Sequence, residues 1–271
     1  MIYLRRQDEI EKIRESGSIV AGALDMVETL VGPGVTTMEL DAAIEEFIRS
    51  HDGTPSFKGY HGYPASSCLS VNEVVVHGIP AEEIILREGD VIGVAIGCYK
   101  NGYHGDAARS FAVGDVDDEV YRQMLVTREA LREAIRHARD GNRVGDISHA
   151  VQAHVEGNGF SVVRDMVGHG VGAKLHEDPQ VPNFGPSNRG PRLKEGMVLA
   201  LEPMVNAGVF DVRTMADGWT VVTKDGRLST HFEHTVAVTA GEPLVLTLSP
   251  RFQSVDEEVE GARAERGTRT G

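Results

Sequence analysis

The sequence predicts an α+β fold, a pseudo-symmetric domain in which one unit of two helices followed by strands is used twice. Two observations carry this. Apolar residues recur at helical spacing in two pairs of segments, each pair followed by short apolar runs of strand type. The two halves also share spacing: Glu39, Leu40, Ala43, Ile44 and Ile48 are matched by Asp146, Ile147, Ala150, Val151 and Val155, each 107 residues on (146 − 39). The same displacement carries Arg87-Glu88-Gly89-Asp90-Val91-Ile92 onto Lys194-Glu195-Gly196-Met197-Val198-Leu199. A duplicated layout places its site at the junction of the halves.

The elements follow in order. Ile10, Ile13, Ile19, Val20, Leu24 and Val27 predict an amphipathic helix over Gln7 to about Leu30, and Gly32-Pro33-Gly34 stops it. A second helix is expected from about Thr37 to Ser50. Cys68 to Val76 reads as extended, and DVIGVAIGCY (Asp90–Tyr99) as a buried strand turned by Asn101-Gly102 into a hairpin partner over Tyr103 to Val113. A long helix is expected from about Asp117 to Arg139 and a shorter one from about Asp146 to Glu156. The domain is expected to end at residue 248, because Ser249 to Gly271 is charged, rich in small polar residues and poor in apolar anchors, the composition of a disordered tail.

With 271 residues, 41% of them hydrophobic, the chain can bury a large core. A formal net charge of −14 excludes a broad nucleic-acid surface, which needs clustered Lys and Arg. The start, MIYLRRQDEIEKIRESG, has no apolar signal region, and no run of about eighteen apolar residues suggests a membrane span. Cys68 and Cys98 make neither a disulfide framework nor a zinc cluster, so the expected location is the reducing cytoplasm.

The chemistry centres on VGHGVGAKLHEDP (Val167–Pro179), where His169 and His176 lie seven residues apart and Gly168, Gly170 and Gly172 bracket the first, allowing close backbone approach or positive φ. Glu202 in ALEPMV, Glu233 in HFEHTVAV and Asp106 at the end of YHGD are acids in strand-like apolar runs, where an ionised carboxylate is costly unless paired, protonated or metal-bound. Asp106, His169, Glu202 and Glu233 therefore form a candidate ligand set for a divalent cation. Carboxylates with one imidazole suit Mn²⁺, Fe²⁺, Co²⁺ or Zn²⁺. His61 reads as an exposed loop histidine, Arg5-Arg6 as solvated charge, Cys98 as core, and His104, on the Asp106 face of its strand, as structural support.

The ordered motifs VHGIP (Val76–Pro80), GYHGD (Gly102–Asp106), GHGVG (Gly168–Gly172), LHEDP (Leu175–Pro179), LEPM (Leu201–Met204) and FEHT (Phe232–Thr235) resemble those of the methionine aminopeptidases. RTMADGWTVVTKDG (Arg213–Gly226) adds to a likeness that spans about residues 5 to 245. Only 31 residues separate Glu202 from Glu233 (233 − 202), so the likeness is to the bacterial type I form without an N-terminal extension. It implies the pita-bread fold, two pseudo-twofold halves around a central antiparallel sheet. It also implies removal of initiator methionine from nascent chains by a cytoplasmic monomer, with ribosome association and without nucleic acid or membrane. His77, His176 and Glu202 are the implied catalytic residues; Tyr60, Tyr63, Cys68, His77, His176 and Trp219 are the implied substrate contacts. Leu175 stands where relatives usually carry an aromatic.

One position departs. The family places a ligand aspartate eleven residues before that of HGD, which is position 95 here (106 − 11), and this chain has Ala95. The repeat agrees, since residue 95 plus the displacement is Glu202. The expectation is one tight metal site and a second that is weak or absent. An alternative follows: a homologue impaired in catalysis that serves as a peptide- or ribosome-binding module.

Overall fold

The computed structural model describes residues 1–269, with side chains through residue 264. Helix α1 spans Gln7–Leu30 and α2 spans Thr37–Ser50. α2 starts with a capping box: Thr36 Oγ1 accepts from the Glu39 amide at 3.1 Å and the Glu39 carboxylate accepts from the Thr36 amide at 2.8 Å. Such a cap contributes about 1 kcal/mol. Short β1 (Thr54–Pro55) precedes a one-turn 3-10 helix at Tyr60–Gly62, then β2 (Ser67–Val71) and β3 (Val74–Val76). The expected hairpin is β4 (Val91–Lys100) and β5 (Tyr103–Ala112), turned at Asn101 (φ 51°) and Gly102 (φ 89°), the positive angles an Asn-Gly turn requires.

The second half repeats the first. α3 is Asp118–His137 and α4 is Val144–Gly157, so α2 and α4 start 107 residues apart (144 − 37) and have equal length, 14 residues. α4 begins two residues earlier than its sequence suggests, because Asp146 caps it by accepting from the Arg143 amide at 2.8 Å. After β6 (Ser161–Val162), β7 (Val167–Gly170) and β8 (Glu177–Pro182) comes β9 (Val198–Leu201), which starts 107 residues after β4 (198 − 91). β10 (Met204–Asn206), β11 (Val212–Thr214), β12 (Val221–Thr223), β13 (Ser229–His231), β14 (His234–Ala237) and β15 (Leu244–Val245) complete the strands.

Strands β1-β4-β2 with β5 on β4 form one antiparallel sheet, and β15-β14-β9-β7-β8 form another. An antiparallel bridge joins them: the Glu233 amide donates to Ala108 O at 2.8 Å and the Ala108 amide to Glu233 O at 3.3 Å. Since Ala108 also pairs with Ala95 on β4, residues 95, 108 and 233 form one row across the junction. Helices α1 and α2 pack on the first sheet through Val20, Leu24, Ile44, Ile48, Ile92 and Ile96; α3 and α4 pack on the second through Leu131, Ile147, Val151, Leu199 and Val236. Gly105 explains one motif by contact. A Cβ there would lie 2.5 Å from the Gly17 nitrogen, so the glycine lets α1 rest against β5 immediately beside Asp106.

The chain past residue 248 differs from its composition. α5 (Val255–Arg269) is ordered against the domain, with Val255, Val259 and Ala262 buried beside α3. Its Glu258, 3% exposed, accepts from His234 Nε2 at 3.1 Å and lies 3.7 Å from Arg109 Nη2. Arg263 pairs with Glu129 on α3. The expected disordered tail is thus corrected over its described part. Three apolar residues per two turns suffice once polar neighbours are met by tertiary partners. Residues 270 and 271 lie outside the described residues.

Arg5 is a second correction. Its side chain, only 9% exposed, holds the Glu177 carboxylate through Nη2, one nitrogen meeting both oxygens at 2.6 and 2.5 Å, an ion pair rather than solvated charge. Arg6 is exposed as expected.

Candidate active site

The four candidate ligand residues reach one place because each sits where a strand is pinned. Asp106 is held on β5 by Thr235 of β14, whose hydroxyl donates to Asp106 O at 2.7 Å and accepts from the Asp106 amide at 3.1 Å. Glu233 is fixed by the Ala108 bridge. Glu202 follows β9, its carbonyl accepting from Asn183 Nδ2 at 3.0 Å. His169 rides on β7. The glycines around it serve by contact, since none of Gly168, Gly170 and Gly172 has positive φ: a Cβ at Gly168 would come 2.4 Å from Ala200 O, and one at Gly170 2.3 Å from Asp178 O.

Asp106, His169 and Glu233 each bring a ligand atom within 4.8 Å of the other two, and all three are buried. Glu202 stands beside them, Oε1 at 3.6 Å from His169 Nε2, while Asp106 Oδ2 is 3.9 Å from the same nitrogen. His169 Nδ1 donates to Gly170 O at 2.9 Å, which leaves the Nε2 lone pair facing the acids. Burial pushes Asp106 up to about 7; burial, then the charge of Asp106, pushes Glu202 and Glu233 well above the usual carboxylate range. Burial, with His176 nearby, lowers His169 to about 3. Three crowded acids that resist ionising beside a neutral imidazole fit a divalent cation, which removes the cost of their charges.

These groups form the floor of a cavity of about 610 Å³. Every substrate residue the resemblance implied lines it: Tyr60, Tyr63, Cys68, His77, His176 and Trp219, with Leu175 and Phe57 adding apolar wall. Tyr63 and Trp219 meet edge to face at 5.1 Å, and Tyr63 OH lies within bonding distance of both Ser67 O and Gly78 O, at 3.0 and 2.9 Å, which fixes that ring. Burial raises the Cys68 thiol to about 12, so it acts as an apolar surface. His77 holds φ 59°, a conformation rare outside glycine. Gly78 beside it is obligatory, since a Cβ there would lie 2.2 Å from Leu69 O. His176 Nδ1 bonds Tyr60 OH at 2.7 Å, and its ring stands edge-on to His169 at 4.3 Å. Loss of water around the ring in the cavity, then His77 and His61, lowers His176 to about 4; burial lowers His77 also.

The remaining expectations fall into place. His61 is exposed and outside the cavity lining; Cys98 is fully buried in the first-half core. His104 Nδ1 meets Ser56 Oγ at 2.8 Å, tying β1 to β5 behind Asp106. Ala95 lines the cavity in the row of Glu233 and offers no donor atom. Sequence reasoning missed His231, which lines the same cavity two residues before Glu233. Its position in HFEH was the available signal, because two-residue alternation from Glu233 puts His231 on the same face.

A carboxylate-rich cluster with one imidazole, floored on a duplicated sheet beneath an apolar cavity, defines a metal-dependent hydrolase. The chain belongs to metallopeptidase family M24, whose pattern matches residues 11–240. It is similar to the methionine aminopeptidase of Clostridium acetobutylicum, 50% identical over 248 residues that cover 92% of this chain and 99% of that relative. Methionine aminopeptidase 1 of Bacillus subtilis is 51% identical over 239 residues, covering 88% and 96%. The crystal structure of the Thermotoga maritima methionine aminopeptidase superposes with a TM-score of 0.90 at 45% identity, covering 91% and 99%. The prolidase of Pyrococcus furiosus, at 21% identity and a TM-score of 0.75 over 92% of this chain and 66% of that one, shares the pita-bread fold.

Proposed function

We propose that this chain is a methionine aminopeptidase of the type I form, removing the initiator methionine from nascent proteins. The observation that carries the reading is the meeting of Asp106, His169 and Glu233 within 4.8 Å on the floor of a cavity walled by Tyr63, Cys68 and Trp219. That wall suits an unbranched, polarisable side chain. Asp106, His169, Glu202 and Glu233 would hold the metal. When bound, a divalent cation there polarises a carbonyl and lowers the pKa of water to about 7.

The side chains supply the rest. Glu202, ionised when it helps to hold the cation, can take a proton beside His169 and return it to the leaving amine. His176, anchored by Tyr60, and His77, held at its strained turn, point neutral imidazoles at the cavity as hydrogen-bond donors for the developing oxyanion and the scissile amide. Mn²⁺, Fe²⁺, Co²⁺ or Zn²⁺ suits the donor set, with one tight position; the chain is placed in the cytoplasm as a monomer that meets nascent chains at the ribosome.

Ala95 supports a second reading, a homologue that keeps the cavity but binds peptides without useful turnover. Methionine release from a Met-Ala-Ser peptide by the metal-loaded protein decides between them: turnover at enzymatic rates supports the peptidase, and peptide binding without release supports the binding module.

A further inference from the structure

Ala95 removes a donor from one side of the cavity floor, and the structure sets another nearby. His231 ends β13 and is 5% exposed, yet among the described residues its buried Nε2 has no hydrogen-bond partner. A buried polar atom left unpaired costs about 1–3 kcal/mol. The neighbouring group is Glu202 Oε2 at 3.7 Å, too far for a hydrogen bond. The other oxygen of the same carboxylate is 3.6 Å from His169 Nε2. Glu202 thus stands between two imidazoles, one oxygen toward each.

This spacing suits an ion. Donors about 2.1 Å from one cation lie roughly 3.0–3.5 Å apart in octahedral or tetrahedral arrangements, close to both separations. The floor also has room there. Ser110 pairs with Gly93 on β4, and its hydroxyl donates to His231 O at 3.0 Å and accepts from the His231 amide at 2.9 Å. Gly93, Ser110 and His231 therefore form the row next to Ala95, Ala108 and Glu233. Small residues fill both rows on the β4 side, and β13 packs against β4 and β5.

We propose that His231 is a metal ligand. From the second half of the sheet, it supplies the donor that Ala95 lacks in the first, and with Glu202 it creates a second divalent-cation position, weaker than the first. This rests on the metallopeptidase reading of the floor, because the first cation occupies Asp106, His169, Glu233 and Glu202. A nitrogen donor in place of a carboxylate shifts the preference of this position toward Co²⁺ and Zn²⁺ over Mn²⁺.

The test is Co²⁺ titration of the full-length metal-free protein by calorimetry and visible absorption, for the natural chain, His231→Ala and His231→Gln. Gln is close in size, and thermal melting of each metal-free variant reports folding. The expected result is two equivalents in the natural chain, the second with its own absorption change. In both variants the second equivalent weakens by at least about 10-fold, while the first is bound as before. A single equivalent in the natural chain overturns the proposal, as does an unweakened second equivalent in either variant. Loss of the first equivalent in the natural chain would instead remove the metallopeptidase reading on which it rests.

Discussion

Substituting Glu258→Gln tests the claim that α5 belongs to the domain. Glu258 accepts from His234 Nε2 at 3.1 Å and faces Arg109, whose Nη2 has no hydrogen-bond partner among the described residues. Burial works to raise this carboxyl, but His234, Arg109 and Arg128 outweigh it and bring it down to about 2 from an ordinary 4.5. That difference corresponds to about 3 kcal/mol, and removing one partner of a buried pair costs about 3–5 kcal/mol, so two routes give a similar size. At about 2–4 °C per kcal/mol, melting should fall by roughly 6–12 °C or more. Because the folded-state value lies below the unfolded one, the contribution is complete above about pH 4.5 and disappears as pH falls through about 2. Urea denaturation at pH 7 and pH 3 measures both aspects. A loss below about 1 kcal/mol at pH 7, or one that does not shrink with acid, refutes the reasoning.

Ala95→Asp adds a carboxylate to the row of Glu233; without metal it should lower stability by about 1–3 kcal/mol, and with Mn²⁺ it should bind a second equivalent more tightly than the natural chain, by melting and calorimetry. Glu202→Gln should reduce kcat/KM by about 10²–10⁴. His176→Ala should reduce kcat by about 10²–10³ with metal content unchanged, which elemental analysis checks. Asp106, Glu202 and Glu233 hold protons in the metal-free fold that the unfolded chain has lost. Metal-free stability should therefore decline as pH rises from about 4 toward 7, and metal binding should release more protons at pH 6 than at pH 8, read by calorimetry in buffers of different ionisation enthalpy.

Much of this architecture is legible along the chain because local and tertiary signals agree. α1 and α2 occupy the segments their periodicity marks, and the 107-residue displacement reappears in the starts of α4 and β9. The four candidate ligand positions showed themselves as acids, or a histidine among glycines, in runs that otherwise demand apolar residues. What stayed hidden depends on partners distant in sequence. Nothing near Glu258 announces His234 or Arg109, so α5 looked like a charged tail; nothing near Arg5 announces Glu177. His231 was legible in principle, two residues from Glu233 and so on the same face, but a histidine in a strand-like run also reads as an ordinary core or edge residue.

The central claim is that Asp106, His169, Glu202 and Glu233 suffice for catalysis despite Ala95. Its most direct test is methionine release from a Met-Ala-Ser peptide by the natural chain and by Ala95→Asp, each with added Mn²⁺, Fe²⁺ or Co²⁺. Turnover by the natural chain at enzymatic rates is the expected result. Silence in the natural chain together with turnover in Ala95→Asp would contradict it, leaving a sound fold that binds peptides but has given up the reaction.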